Sequence, residues 1–217
     1  MENLSAALGS AIRNLSEETY DKSFADFQFW FKIGRTYSRV PPDLILDTIC
    51  RYRSWNVSWD NLFSPTAHLI PKFVTRIESD PILAPHSAGL RSRFCSRIVH
   101  DFFDTNMDMV YNSPNDPFKE RFYKDVNIIA HCIKSGYIEE DTVRDRILQS
   151  LTLYDKLLGH QVDALIILFW IAGATFGACV DPETIDRCFE LLKDHPGKKY
   201  KGAVQVSSFS LRKRSRD

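Results

Sequence analysis

Apolar residues recur along this chain at intervals of three and four, the spacing of a helix with one buried face. Leu4, Leu8, Ala11 and Leu15 follow it. Tyr20, Phe24, Phe27 and Phe31 follow it next, behind Ser16 as a candidate N-cap. The row extended by Trp30 could be drawn as a base-stacking surface, but helical spacing assigns all five aromatics to a core. Further along, Phe122, Val126, Ile129 and Ile133 share the spacing. So do Val143, Ile147, Leu151 and Tyr154, and then Ile185, Cys188, Phe189 and Leu192. No alternating run of strand length interrupts them. Residues 54–66 and 104–118 are rich in Asn, Asp, Ser and Pro and predict loops, and Pro71, Pro81 and Pro85 predict breaks within 67–90.

The stretch "VDALIILFWIAGATFGACVD" (162–181) carries no charge between Asp163 and Asp181. Its apolar run sits at the lower limit for a membrane span, and acids flank both ends where Lys or Arg anchors would be expected. Gly177 predicts a stop, and Asp181-Pro182-Glu183 predicts an N-cap, a first-turn proline and a first-turn acid of a new helix. The reading is therefore a buried helix over 162–176 with another after it. Gly136, Gly159, Gly177 and Gly197 each follow an apolar helical stretch, about 20 residues apart, so a helix pair takes about 40 residues, the HEAT or armadillo period. The expected fold is all-α. It is a right-handed α-solenoid of about 8–10 helices in antiparallel pairs over residues 1–196, with a basic, disordered tail over 197–217.

Composition adds one asymmetry. Formal net charge is zero, yet from Lys198 onward there are seven basic residues and one acidic residue, so the tail is about +6 and the rest about −6. Lys198, Lys199, Lys201, Arg212, Lys213, Arg214 and Arg216 form the candidate nucleic-acid or partner-binding patch. An acidic body does not suit a dedicated nucleic-acid clamp. Five widely spaced cysteines (Cys50, Cys95, Cys132, Cys179, Cys188) predict reduced, buried thiols in an intracellular protein, and the N-terminus lacks the pattern of a secretory signal.

The chemical motifs are sparse. No phosphate loop, nucleophile elbow or zinc spacing is present. Cys95 with His100, and His131 with Cys132, could be drawn as catalytic pairs, but each fits a core thiol beside a partly exposed imidazole. Glu139, Glu140 and Asp141 fit the first turn of a helix, where they complement its dipole. No catalytic residue, metal or cofactor is expected.

Four segments resemble, in order, the middle domain of the translation initiation factor 4G family. "AIRNLSEETYDKSFADF" (11–27) is similar to its opening, with Leu15, Ser16, Tyr20, Asp21 and Lys22 at the matching positions. "DPILAPHSAGLRSRF" (80–94) resembles a family segment with an acid-Pro start and a small-residue helix, while "FYKDVNIIAHCIKSGYIEEDTVRDRILQSL" (122–151) and "VDALIILFWIAGATFGACVDPETIDRCFELL" (162–192) resemble later helix–turn–helix units, Gly173 falling on a family glycine. In a second register, "LRSRFCSRIVHDFF" (90–103) matches the next family helix instead. The chain departs at the end, where "VQVSSFSLRKRSRD" stands in place of a long closing helix. The resemblance implies a non-catalytic scaffold in mRNA translation or RNA processing. Its partners would be a translation factor or a DEAD-box RNA helicase, with RNA a further ligand. It would act in the cytoplasm, or in the nucleus if the basic run is an import signal. The missing helix would leave an open edge, which favours a homodimer. The same periodicity also suits a helical adaptor for trafficking or signalling.

Overall fold

The structure is a computed structural model and describes residues 2–37, 41, 43–55, 63–104, 117–148, 151 and 159–193. Among them there are eight α-helices and no strand. They are α1 (Glu2–Arg13), α2 (Tyr20–Tyr37), α3 (Leu44–Tyr52), α4 (Leu69–Ser79), α5 (Leu90–Asp104), α6 (Pro117–Lys134), α7 (Gly159–Cys179) and α8 (Pro182–Lys193). A 3₁₀ turn, Ala84–His86, precedes α5, and a π-helical segment, Thr142–Leu148, follows α6. The all-α class is as expected. Contacts divide the chain into two units, Met1–Asp101 and Phe102–Asp217.

In the first unit α1 packs on α2 and α3. The turn into α2 is closed by a reciprocal cap. The Thr19 N–H donates to Ser16 Oγ (3.1 Å) and the Ser16 N–H donates to Thr19 Oγ1 (3.0 Å). This is the capping-box exchange with threonine in place of the usual Glu or Gln. The inner face of α2 then presents Phe24 and Phe27 edge-on to Phe73 of α4, with ring centroids 5.6 and 5.4 Å apart. Tyr20, Phe24, Phe27 and Phe31 are buried, as their spacing predicts. Trp30 is not: it is 40% exposed. It lies about 100° around the helix from Phe31, too far to share that face.

Five other expectations need correction. Leu15 is buried but lies beyond α1, which ends at Arg13. Pro71 does not break the chain: it sits in the first turn of α4, where its missing N–H has no helical acceptor to lose. Pro117 likewise opens α6 within the expected loop. Gly177 does not stop α7, which continues to Cys179. A glycine ends a helix by turning left-handed, and among the described residues only Gly89 (φ 63°) and Gly136 (φ 68°) do so. The break comes instead before Pro182, where Asp181 caps α8 by accepting from the Thr184 N–H (2.8 Å). Gly159 begins α7 rather than following a helix, so of the expected glycine stops only Gly136 acts as one among the described residues. There the Tyr137 N–H reaches back to the Cys132 carbonyl (2.9 Å) and closes α6.

In the second unit α6 packs on α7, and α7 on α8. Ala164 to Phe169 are all buried, as a helix apolar on every side requires, but the expected burial over 162–176 does not extend to Trp170, 51% exposed, or to Ala174. No helix among the described residues is long and apolar enough to cross a membrane. Phe169 stacks on Phe189 at 5.0 Å, and Phe102 stacks on Phe122 at 5.4 Å. A polar seam joins α6 to α7: the Tyr123 hydroxyl donates to Asp163 Oδ2 (2.5 Å). Tyr154, Gly197 and the basic tail lie outside the described residues.

Candidate functional site

α2 carries a second apolar stripe that its own unit leaves partly exposed. Phe29, Trp30, Ile33 and Tyr37 fall at helical spacing, with Asp26 one turn before them. At about 100° per residue the stripe is centred well over 100° from the row that meets Phe73. Phe29 is 55% exposed, Trp30 40% and Tyr37 83%, while Ile33 is half-buried. The Phe29 and Trp30 rings meet edge-on at 5.4 Å, so they form one surface rather than two isolated side chains. Taking each aromatic at about 200 Å², the three expose roughly 350–400 Å². That is the size of the largest apolar patch on an ordinary monomer, and such patches mark contact sites.

The helix beneath this stripe is held on its other sides. Arg76 of α4 pairs with Asp21 (2.5 Å) and lies over the Phe24 ring at 4.1 Å. Gln28 donates to Asp80 (2.8 Å), whose other oxygen accepts the N–H groups of Ile82 and Leu83. Leu4 of α1 lies against Gly34, where any Cβ would collide with its side chain. Close packing on these faces leaves the outer aromatics as the side of α2 directed at water.

Two other features of the first unit are less suited to binding. The Arg13 guanidinium lies 5.3 Å from the Tyr52 ring and 5.4 Å from the Trp55 ring. Trp55 is 60% exposed, but the chain's own cation already occupies this aromatic pair. A concavity of about 380 Å³ lies over Phe31 and Ile45, rimmed by Pro41, Pro85, His86, Ala88 and Arg93. Burial and the nearby Arg35 charge hold the His86 imidazole below its ordinary pKa. Arg93 pairs with Asp43 at the rim.

The residues singled out from sequence are dispersed. Lys198, Lys199, Lys201, Arg212, Lys213, Arg214 and Arg216 lie outside the described residues. Cys95 is buried in α5 while His100 is exposed, and Cys132 is buried in α6 while His131 is half-buried. Burial pushes the Cys188 thiol up to about 12 and the Cys50 thiol up to about 11. Cys50 is only half-buried, against the expectation of fully buried thiols. Glu139 to Asp141 stand at the start of a helical turn, where the Val143 N–H donates to the Glu139 carbonyl (3.1 Å). Among the described residues no cluster of His, Cys, Asp or Glu could hold a metal ion. Sequence reading missed the outer stripe by placing Trp30 with the core. The signal was a second helical row, offset from the first. Comparison with protein-family models, with curated proteins and with solved structures returns no match.

Proposed function

We propose that this protein is a non-catalytic, helical protein-binding scaffold in mRNA translation or RNA processing. The observation that carries the reading is the outer face of α2, an aromatic surface that its own unit leaves partly exposed. Exposing it costs solubility, so a use in protein contact is the physical reason to retain it. The place in RNA biology rests on the ordered resemblance to the initiation factor 4G middle domain. On that footing the helices form a right-handed, HEAT-like solenoid of antiparallel pairs. The partner is a translation factor or a DEAD-box RNA helicase, and the basic tail from Lys198 to Arg216 adds an electrostatic contact to RNA. The work is done in the cytoplasm, with nuclear entry through the same basic run.

Affinity capture from cell extract, with and without nuclease, tests this. The expected result is recovery of a translation factor or RNA helicase that survives nuclease. Recovery of trafficking or signalling proteins instead would keep the scaffold and overturn its place in translation. Recovery of nothing would overturn both.

A further inference from the structure

We infer that the outer face of α2 pairs with the same face of a second copy of this chain, the two helices antiparallel about a twofold axis between Phe31 and Lys32. This rests on reading that face as a protein-docking surface and adds a second copy as an occupant that competes there with the partner proposed above.

The pattern along the stripe is self-complementary. Its N-terminal end is an acceptor, the exposed Asp26 carboxylate, and its C-terminal end is a donor, the Tyr37 hydroxyl. Between them lie Phe29, Trp30 and Ile33. An antiparallel twofold sets Asp26 against the second copy's Tyr37, and Trp30 against its Ile33. Each Tyr37 hydroxyl then donates to a carboxylate at both ends of an apolar centre. A parallel pairing would bring the two Asp26 carboxylates together, which costs free energy. An entirely apolar partner would strip water from Asp26 and return no hydrogen bond. Antiparallel helices also set their dipoles favourably. Lys32 projects about 110° from the stripe's centre and keeps its hydration.

Area sets the strength. Two copies together bury roughly 700–800 Å² from Phe29, Trp30 and Tyr37, and Ile33 with the flanking stems brings the total near 1,000 Å². That is the lower edge of specific interfaces, so the dimer has a micromolar Kd and exchanges freely. Its contact is apolar, so added sulfate strengthens it where an ionic contact would weaken.

Sedimentation equilibrium of the full chain from about 1 to 200 μM tests this. The expected result is a monomer–dimer equilibrium with a micromolar Kd. Tyr37→Phe weakens it about tenfold through two lost hydrogen bonds, and Trp30→Asp weakens it at least about 100-fold. Tyr37 is 83% exposed, so Tyr37→Asp leaves folding intact and repeats the test if Trp30→Asp fails to fold. Register is read by oxidation: Asp26→Cys combined with Tyr37→Cys gives a disulfide-linked dimer, and Asp26→Cys alone gives none. A monomer at every concentration overturns the proposal. So does a dimer indifferent to Tyr37→Asp, or a dimer linked by Asp26→Cys alone. Extract capture with bait at nanomolar concentration, where this dimer is dissociated, reads the scaffold function separately.

Discussion

Replacing Phe73 with alanine should remove a large part of the stability of the first unit. Phe73 is 1% exposed and is the residue of α4 that enters the inner face of α2. Its ring meets Tyr20, Phe24 and Phe27 edge-on at 6.2, 5.6 and 5.4 Å. Truncating a buried Phe to Ala costs about 3–5 kcal/mol in lost transfer and residual cavity. Edge-on ring pairs add about 0.5–1.5 kcal/mol each, not fully additively, because the three share one ring. The expected loss is thus about 4–5 kcal/mol, a large part of the 5–15 kcal/mol that holds an ordinary domain. Phe73→Leu keeps most of the volume and loses the ring edges, so it should cost about 1–2 kcal/mol. Urea denaturation followed by far-UV circular dichroism reads both. A loss below about 2 kcal/mol for Phe73→Ala, with an unchanged m value, would mean that α4 does not lock α2 in place.

Three further outcomes follow from the same geometry. Asp101→Ala should cost about 3 kcal/mol in urea denaturation, because Arg53 is left with its side chain 4% exposed and its carboxylate partner, now 2.9 Å away, removed. Asp181→Ala should cost about 1 kcal/mol by removing the α8 cap. The two Thr184 hydrogen bonds hold the Asp181 carboxyl below its ordinary 3.8, so the cap contributes fully above that pH and is lost as pH falls through the lower folded value. An acid titration of stability should therefore lose part of its slope below pH 4 in the alanine variant. In a thiol assay at pH 8, Cys50, Cys95, Cys132 and Cys188 should react slowly in the native protein and at once in denaturant. Cys50 and Cys188 remain thiols well above that pH, and Cys95 and Cys132 are buried.

The sequence made the helices legible wherever one apolar row was wide enough to bury. The α2 row from Tyr20 to Phe31, the α6 row from Phe122 to Ile133 and the α8 row from Ile185 to Leu192 all lie inside, whereas the buried reading of 162–176 holds from Ala164 to Phe169 and fails at Trp170 and Ala174, which are exposed. Punctuation was harder to read. Pro71 and Gly177 are breakers by propensity, yet Pro71 stands where a helix needs no N–H and Gly177 keeps helical dihedrals. Context decides such positions, and residue type alone does not carry it. The glycine spacing that suggested a regular helix-pair repeat weakens for that reason. The candidate site was legible only as composition: Phe29, Trp30, Ile33 and Tyr37 are written at helical spacing, but a second apolar row shows as exposed only once the first is known to be satisfied by Phe73.

Hydroxyl-radical footprinting of the chain in cell extract, against dilute purified protein, tests most directly whether the outer face of α2 is a contact surface. Trp55 and Trp170, 60% and 51% exposed, serve as internal references. Protein contact at α2 predicts that Phe29, Trp30 and Tyr37 lose reactivity in extract while the two reference tryptophans keep theirs. Equal reactivity of all five residues in the two settings would contradict it.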